Sequence, residues 1–234
     1  MPPIHVYTNW NSRVTDNEPR IEPYRKYFFI CEGKNTEPWY FRKLIDLRQE
    51  LGIHSMIDIC LLEKTEGDKD ISYPMNLIEF ADKQKGLPDV EFDSKRDRMI
   101  VVFDADIFES KVTNYDEVVE FGEKRNILAV TNPGFELFLL LHFEGAYETD
   151  IVPHSEEIIR NEKVGKQRFI YSLLLKRTGI NSKKNSEIGK LAANVKTAIE
   201  QEKKLNQDIH DCHGKITSNV GKIIEGIMRD GNKV

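Results

Sequence analysis

Four acidic residues stand where apolar segments of this 234-residue chain end, and carboxylates so placed could do phosphate chemistry. Glu32 closes Tyr27-Phe28-Phe29-Ile30-Cys31 and is followed by Gly33 and Lys34. Asp104 and Asp106 close Met99-Ile100-Val101-Val102-Phe103, and Glu136 follows Thr131-Asn132-Pro133-Gly134-Phe135. In open parallel α/β sheets, ligands bind beyond the carboxyl ends of the strands. Carboxylates gathered there repel one another unless a cation sits between them, and hard, oxygen-seeking Mg²⁺ is the usual such cation. The pattern suggests a metal-dependent site acting on phosphate groups.

Each residue also has a plainer reading. Alternate residues of an extended segment share a face, so Asp104 and Asp106 can face one metal position; alternatively they make a strand-end turn, which Asp favours. Gly33 permits a tight turn before a helix start whose N–H groups favour anions, with Lys34 in reach of a phosphate oxygen. Glu32 could equally be an exposed turn residue. Glu136 opens a helix that is apolar nearly all round, so its carboxylate needs a partner: a metal, a basic side chain or the helix N-terminus. His142, about 600° further round that helix, does not share its face and reads as a hydrogen-bonded core histidine. His210-Asp211-Cys212-His213 resembles a soft-metal cluster, but it lacks a second ligand pair at zinc spacing and reads as a helix end. Asp68 and Asp70 read as loop solvation. There is no Walker loop, no Gly-x-Ser-x-Gly and no His-Glu-x-x-His.

The elements that must position these residues alternate. Strands are expected at 26–31, 56–62, 98–103 and 127–130. Helices are expected after Asn35 or Thr36 as cap, at 73–85, at 115–125 and at 133–143. Gly52 suits the end of the first helix. Such alternation implies βαβ units and a parallel sheet. After Pro153 strand signals stop, and helices are expected near 165–177, 186–207 and 219–229. The expected organisation is an irregular arm over 1–23, an α/β domain over 24–153 and a basic helical extension over 154–234. From Arg160 onward 16 basic residues face 8 acidic ones, against 18 and 31 in the remainder. That asymmetry fits metal on one part and a polyanion on the other, or simply a solvated lysine-rich surface. No run nears the roughly 18 apolar residues of a membrane span. Met1–Asn11 lacks the features of a signal peptide. Three scattered cysteines make no disulfide framework, which points to a reducing cytoplasm.

The motif Phe28-Phe29-Ile30-Cys31-Glu32-Gly33-Lys34-Asn35-Thr36-Glu37-Pro38-Trp39-Tyr40-Phe41 resembles the opening of RloB-like proteins. Val101-Val102-Phe103-Asp104-Ala105-Asp106 resembles their Asp-x-Asp strand, and Asn132-Pro133-Gly134-Phe135-Glu136-Leu137-Phe138-Leu139-Leu140-Leu141-His142-Phe143 their most distinctive segment. Thr217-Ser218-Asn219-Val220 resembles a motif near their C-terminus. The resemblance implies a TOPRIM-like parallel sheet flanked by helices, with a C-terminal helical extension. That fold is shared with topoisomerases, bacterial primases and overcoming-lysogenization-defect nucleases. It implies Mg²⁺ (or Mn²⁺) bound by Glu32, Asp104 and Asp106, with Glu136 as a further catalytic acid. It also implies a toxic nuclease of antiphage, abortive-infection defence, paired with an ABC/AAA-type ATPase and acting on DNA or RNA, transfer RNA included. Lys34, Lys163, Lys166 and Arg168 are the expected nucleic-acid contacts. Self-association stays open. The alternative is a regulatory binding subunit that docks to the ATPase.

Overall fold

Aromatic and aliphatic residues crowd four short runs, and each becomes a strand covered on both faces. The structure, a computed structural model, describes residues 5–7, 23–68, 71–110 and 112–230. In chain order come β1 (His5–Tyr7), β2 (Arg25–Cys31), α1 (Thr36–Asp46), β3 (Ile57–Glu63), α2 (Pro74–Gln84), β4 (Arg98–Asp104), α3 (Asp106–Ser110), α4 (Tyr115–Glu123), β5 (Ile127–Asn132) and α5 (Phe135–Leu140). There follow α6 (Ser155–Arg160), β6 (Lys163–Val164), β7 (Gln167–Arg168), α7 (Phe169–Thr178), a 3₁₀ helix over Ser186–Asn194, α8 (Val195–Glu202), β8 (Thr217–Ser218) and α9 (Val220–Asp230). The main sheet runs β1-β3-β2-β4-β5-β8. Its four central strands are parallel and its two edge strands antiparallel. The chain is thus the expected mixed α/β fold, a mostly parallel sheet flanked by helices.

Side chains two apart along a strand share a face, and this splits the core in two. Phe29, Ile59, Ile100 and Val102 face α1, α5, α7, α8 and α9. Phe28, Cys60, Met99, Val101 and Phe103 face α2 and α4. The first of these clusters runs unbroken from Tyr27 to Ile227, so the helices after Pro153 lie directly on the sheet. The 3₁₀ helix packs so closely on α1 that a Cβ on Gly189 would sit 2.4 Å from the Trp39 carbonyl oxygen.

Four expectations need correction. The helix expected near 165–177 starts only at Phe169: β6 and β7 form a hairpin around Gly165, whose φ of +67° suits glycine. Strand pairing also continues past Pro153 in β8, which joins the sheet edge beside β5. Within the expected irregular arm, His5–Tyr7 pairs antiparallel with β3; the rest of that arm up to residue 22 lies outside the described residues, as does Asp70. The span expected as one helix over 186–207 is 3₁₀ first and α-helical only from Val195 to Glu202.

The Thr217-Ser218-Asn219-Val220 motif is a clasp. The Asn219 side chain accepts from Val130 N and donates to Leu128 O, each at 2.8 Å, extending β5's hydrogen bonding beyond β8. The fully buried Glu202 of α8 accepts from Ser218 Oγ at 2.6 Å and from Gly221 N and Lys222 N at 2.8 Å, capping α9.

Candidate active site

Strand register brings the acids together. Ile30 of β2 lies beside Val101 of β4, and Asp104 lies beside Thr131 of β5, so the three strands end on one edge. There the Asp104 main-chain N–H donates to Glu32 Oε2 at 3.1 Å, and the Thr131 hydroxyl donates to Asp104 Oδ1 at 2.6 Å. The turn into α5 brings Glu136 alongside: a Cβ on Gly134 would lie 3.4 Å from both Asp104 Oδ2 and Glu136 Oε2. Ser182 Oγ donates to Glu136 Oε1 at 3.3 Å.

A fourth carboxylate, Glu37 in the first turn of α1, enters the same cavity. Gly33 makes room for it, since a Cβ there would fall 2.2 Å from Glu37 Oε2. Close approach, not a left-handed turn, is therefore what Gly33 supplies. Asn35 and Thr36 do not cap α1 with their side chains. They bind the segment after α7 instead: Asn35 Nδ2 donates to Lys183 O at 2.8 Å and Thr36 Oγ1 to Ser182 O at 3.0 Å. The cavity holds about 340 Å³, with Lys34 and Lys183 among its lining residues.

Crowding of like charge shows in the proton affinities. Burial pushes Glu32 up to about 7; the charges of Glu37 and Asp106 add to this, while the Asp104 N–H bond and Lys64 oppose it. Burial holds Asp104 well above the usual carboxylate range, reinforced by Glu32, Glu37 and Glu136 and opposed by the Thr131 hydroxyl. Glu37 is raised by burial and then by Glu136. Lys64 lies beneath the cluster, its ammonium donating to the carbonyls of Glu32 and Ile71. Burial lowers its own proton affinity.

Asp106 stands apart from this cavity. The extended backbone ends at Asp104 and Asp106 already opens α3, so the two carboxylates do not follow strand alternation. Asp106 Oδ2 faces Arg168 Nη2 at 3.8 Å. Among the described residues, no three His, Cys, Asp or Glu side chains form a group able to hold a metal ion. The donor set still suits a hard dication: it is all carboxylate oxygen, and its mutual repulsion is what such an ion relieves.

The remaining sequence candidates fall as follows. Lys34 sits exposed at the cavity rim. Lys163 and Lys166 are exposed on the β6–β7 hairpin. Arg168, at its base, donates to Asn161 O at 3.1 Å. His142 is buried between Tyr40 Oη at 2.9 Å and Phe138 O at 3.0 Å, and burial lowers it to about 4. His210 and His213 turn to separate acids, Glu123 and Glu109, while Cys212 is buried. Sequence reasoning missed Glu37, Thr131, Ser182 and Lys183. An acid in the first turn of α1, five residues after Glu32, was a signal for Glu37. Nothing local marks Ser182, 46 residues from its partner.

Residues 27–227 match the profile of RloB-like proteins. The chain belongs to the RloB-like family. The matched span of this RloB-like chain includes every carboxylate of the cavity. No curated protein and no solved structure is significantly similar to it. Its cysteines are free and buried, and among the described residues no helix is long and apolar enough to cross a membrane.

Proposed function

We propose that this RloB-like protein is a metal-dependent nuclease that hydrolyses phosphodiester bonds. One observation carries the reading: Glu32, Asp104, Glu136 and Glu37 converge at the carboxyl ends of parallel strands in one open cavity. To hold Mg²⁺ or Mn²⁺, Glu32, Asp104 and Glu37 would have to draw closer together than they stand here, with Asp106 joining if it leaves Arg168. When bound, the ion supplies charge neutralisation for the scissile phosphate and a more acidic water. With the ion held by the other acids, Glu32 would instead be free to accept a proton from water, a carboxylate poised at about 7 being matched to neutral pH. Thr131 and the Asp104 N–H fix the two central acids in place. Lys34 and the basic hairpin offer contacts to a strand of DNA or RNA. The reading extends to a toxic effector of antiphage defence that works beside an ATPase, since the chain has no Walker loop of its own.

The test is cleavage of labelled DNA and RNA, transfer RNA included, by purified protein in Mg²⁺, Mn²⁺ or EDTA. Asp104→Ala should abolish cation-dependent cleavage while leaving the fold intact. A variant that cuts as fast as wild type sinks the proposal. The Asp106–Arg168 contact keeps one expected metal ligand out of the cavity, which leaves room for a second reading, a non-catalytic regulatory subunit that docks to the ATPase. Toxicity that survives both Glu32→Ala and Asp104→Ala in co-expression selects it.

A further inference from the structure

A polyanion entering a cavity walled by four carboxylates is repelled unless a fixed cation faces it. The cations near this cavity are not equivalent. Lys64 lies below the acids and is spent on two main-chain carbonyls. Arg168 is turned to Asp106. Lys34 and Lys183 line the opening itself.

Lys183 is the better prepared of the two. Its N–H donates to Asn181 Oδ1 at 3.1 Å and its carbonyl accepts from Asn35 Nδ2 at 2.8 Å. The preceding Ser182 is 1% exposed and bonded both to Thr36 and to Glu136. The backbone under Lys183 is therefore bolted to two of the elements that carry the acids. The ammonium lies 5.6 Å from the centre of the Tyr171 ring, which guides the stem without neutralising the charge. Lys183 is exposed and enters no ion pair among the described residues, although Glu37 feels its charge. Beneath it the Tyr171 hydroxyl is buried with no hydrogen-bond partner, leaving a spare donor beside the site.

We propose that Lys183 is a phosphate-binding residue that holds a nucleic-acid strand against Glu32, Asp104 and Glu136. The identity of the ligand rests on the phosphodiester reading of the cavity. The active site is then composite, with acids from the segment before Pro153 and the substrate clamp from the segment after α7.

Fluorescence anisotropy with labelled single-stranded DNA and RNA, in EDTA and over a salt series, tests this without any catalytic cation. Lys183→Ala should weaken binding about tenfold and reduce the slope of log affinity against log salt by about one. Lys183→Arg should restore most of the affinity. Lys190→Ala, a control whose lysine pairs with Glu187, should match wild type. Wild-type affinity and slope in Lys183→Ala overturn the proposal, as does a wild-type protein that binds neither oligonucleotide. In Mg²⁺ the same variant should raise KM more than it lowers kcat. If wild type never cleaves but Lys183→Ala still loses binding, the nuclease reading fails and the Lys183 site stands.

Discussion

Glu32 carries a cost that depends on pH. Its proton affinity rises from the ordinary 4.5 to about 7 in the folded chain, chiefly through burial. A raised carboxylate stabilises the fold only while protonated, so its contribution is present below pH 4.5 and is lost as pH climbs through 7. Asp104 and Glu37 act in the same direction. Glu32→Gln removes one such loss. In urea unfolding without divalent ions it should match wild type near pH 4.5 and exceed it by about 1–3 kcal/mol at pH 8, one unit being worth about 1.4 kcal/mol. His142, pushed down to about 4, has the opposite sign and is present in both proteins, so it cancels. Added Mg²⁺ should narrow the gap by stabilising wild type. Equal stabilities at pH 8 would refute this account of the cluster.

At the scale of elements, close packing is most exposed to test at Gly189. Any side chain there meets the Trp39 carbonyl, which is main chain and cannot swing away. Gly189→Ala should destabilise by about 1–3 kcal/mol, read as a lower urea midpoint with an unchanged m-value. Unchanged stability would mean that the 3₁₀ helix shifts freely on α1. The same scale shows what could be read in advance. The runs ending at Glu32 and Asp104 were legible because uninterrupted apolar residues fit only strands covered on both faces. The β6–β7 hairpin was not, since Lys163–Arg168 holds one apolar residue, Val164, and no alternation. Ser186–Asn194 read as α-helix because Ile188, Ala192 and Val195 follow the i, i+4, i+7 spacing of an α-helix, and its 3₁₀ form is not marked by that pattern. Of the site, the strand-end acids were visible. Glu37 was hidden in a helix start, and Ser182 and Lys183 arrive by long-range contacts that no local pattern records.

The whole molecule behaves as one sheet with both faces occupied. Because α7, α8 and α9 join α1 and α5 in the one apolar cluster built on Phe29, Ile59 and Ile100, a chain ending at Pro153 would expose much of that cluster to water. Such a truncation should be insoluble or lack a cooperative thermal transition. A stable, well-dispersed fragment would show that the segment up to Pro153 folds alone. Arg25 and Tyr27 begin β2, and both bond Asp230 at the end of α9, at 2.6 and 2.9 Å. Glu32 lies just past the other end of that strand, about 20 Å away at 3.3 Å per residue. A surface tether joined to the Asp230 end of α9 would therefore sit at the opposite end of β2 from the cavity. Protein immobilised through that end would present its carboxylates to solution.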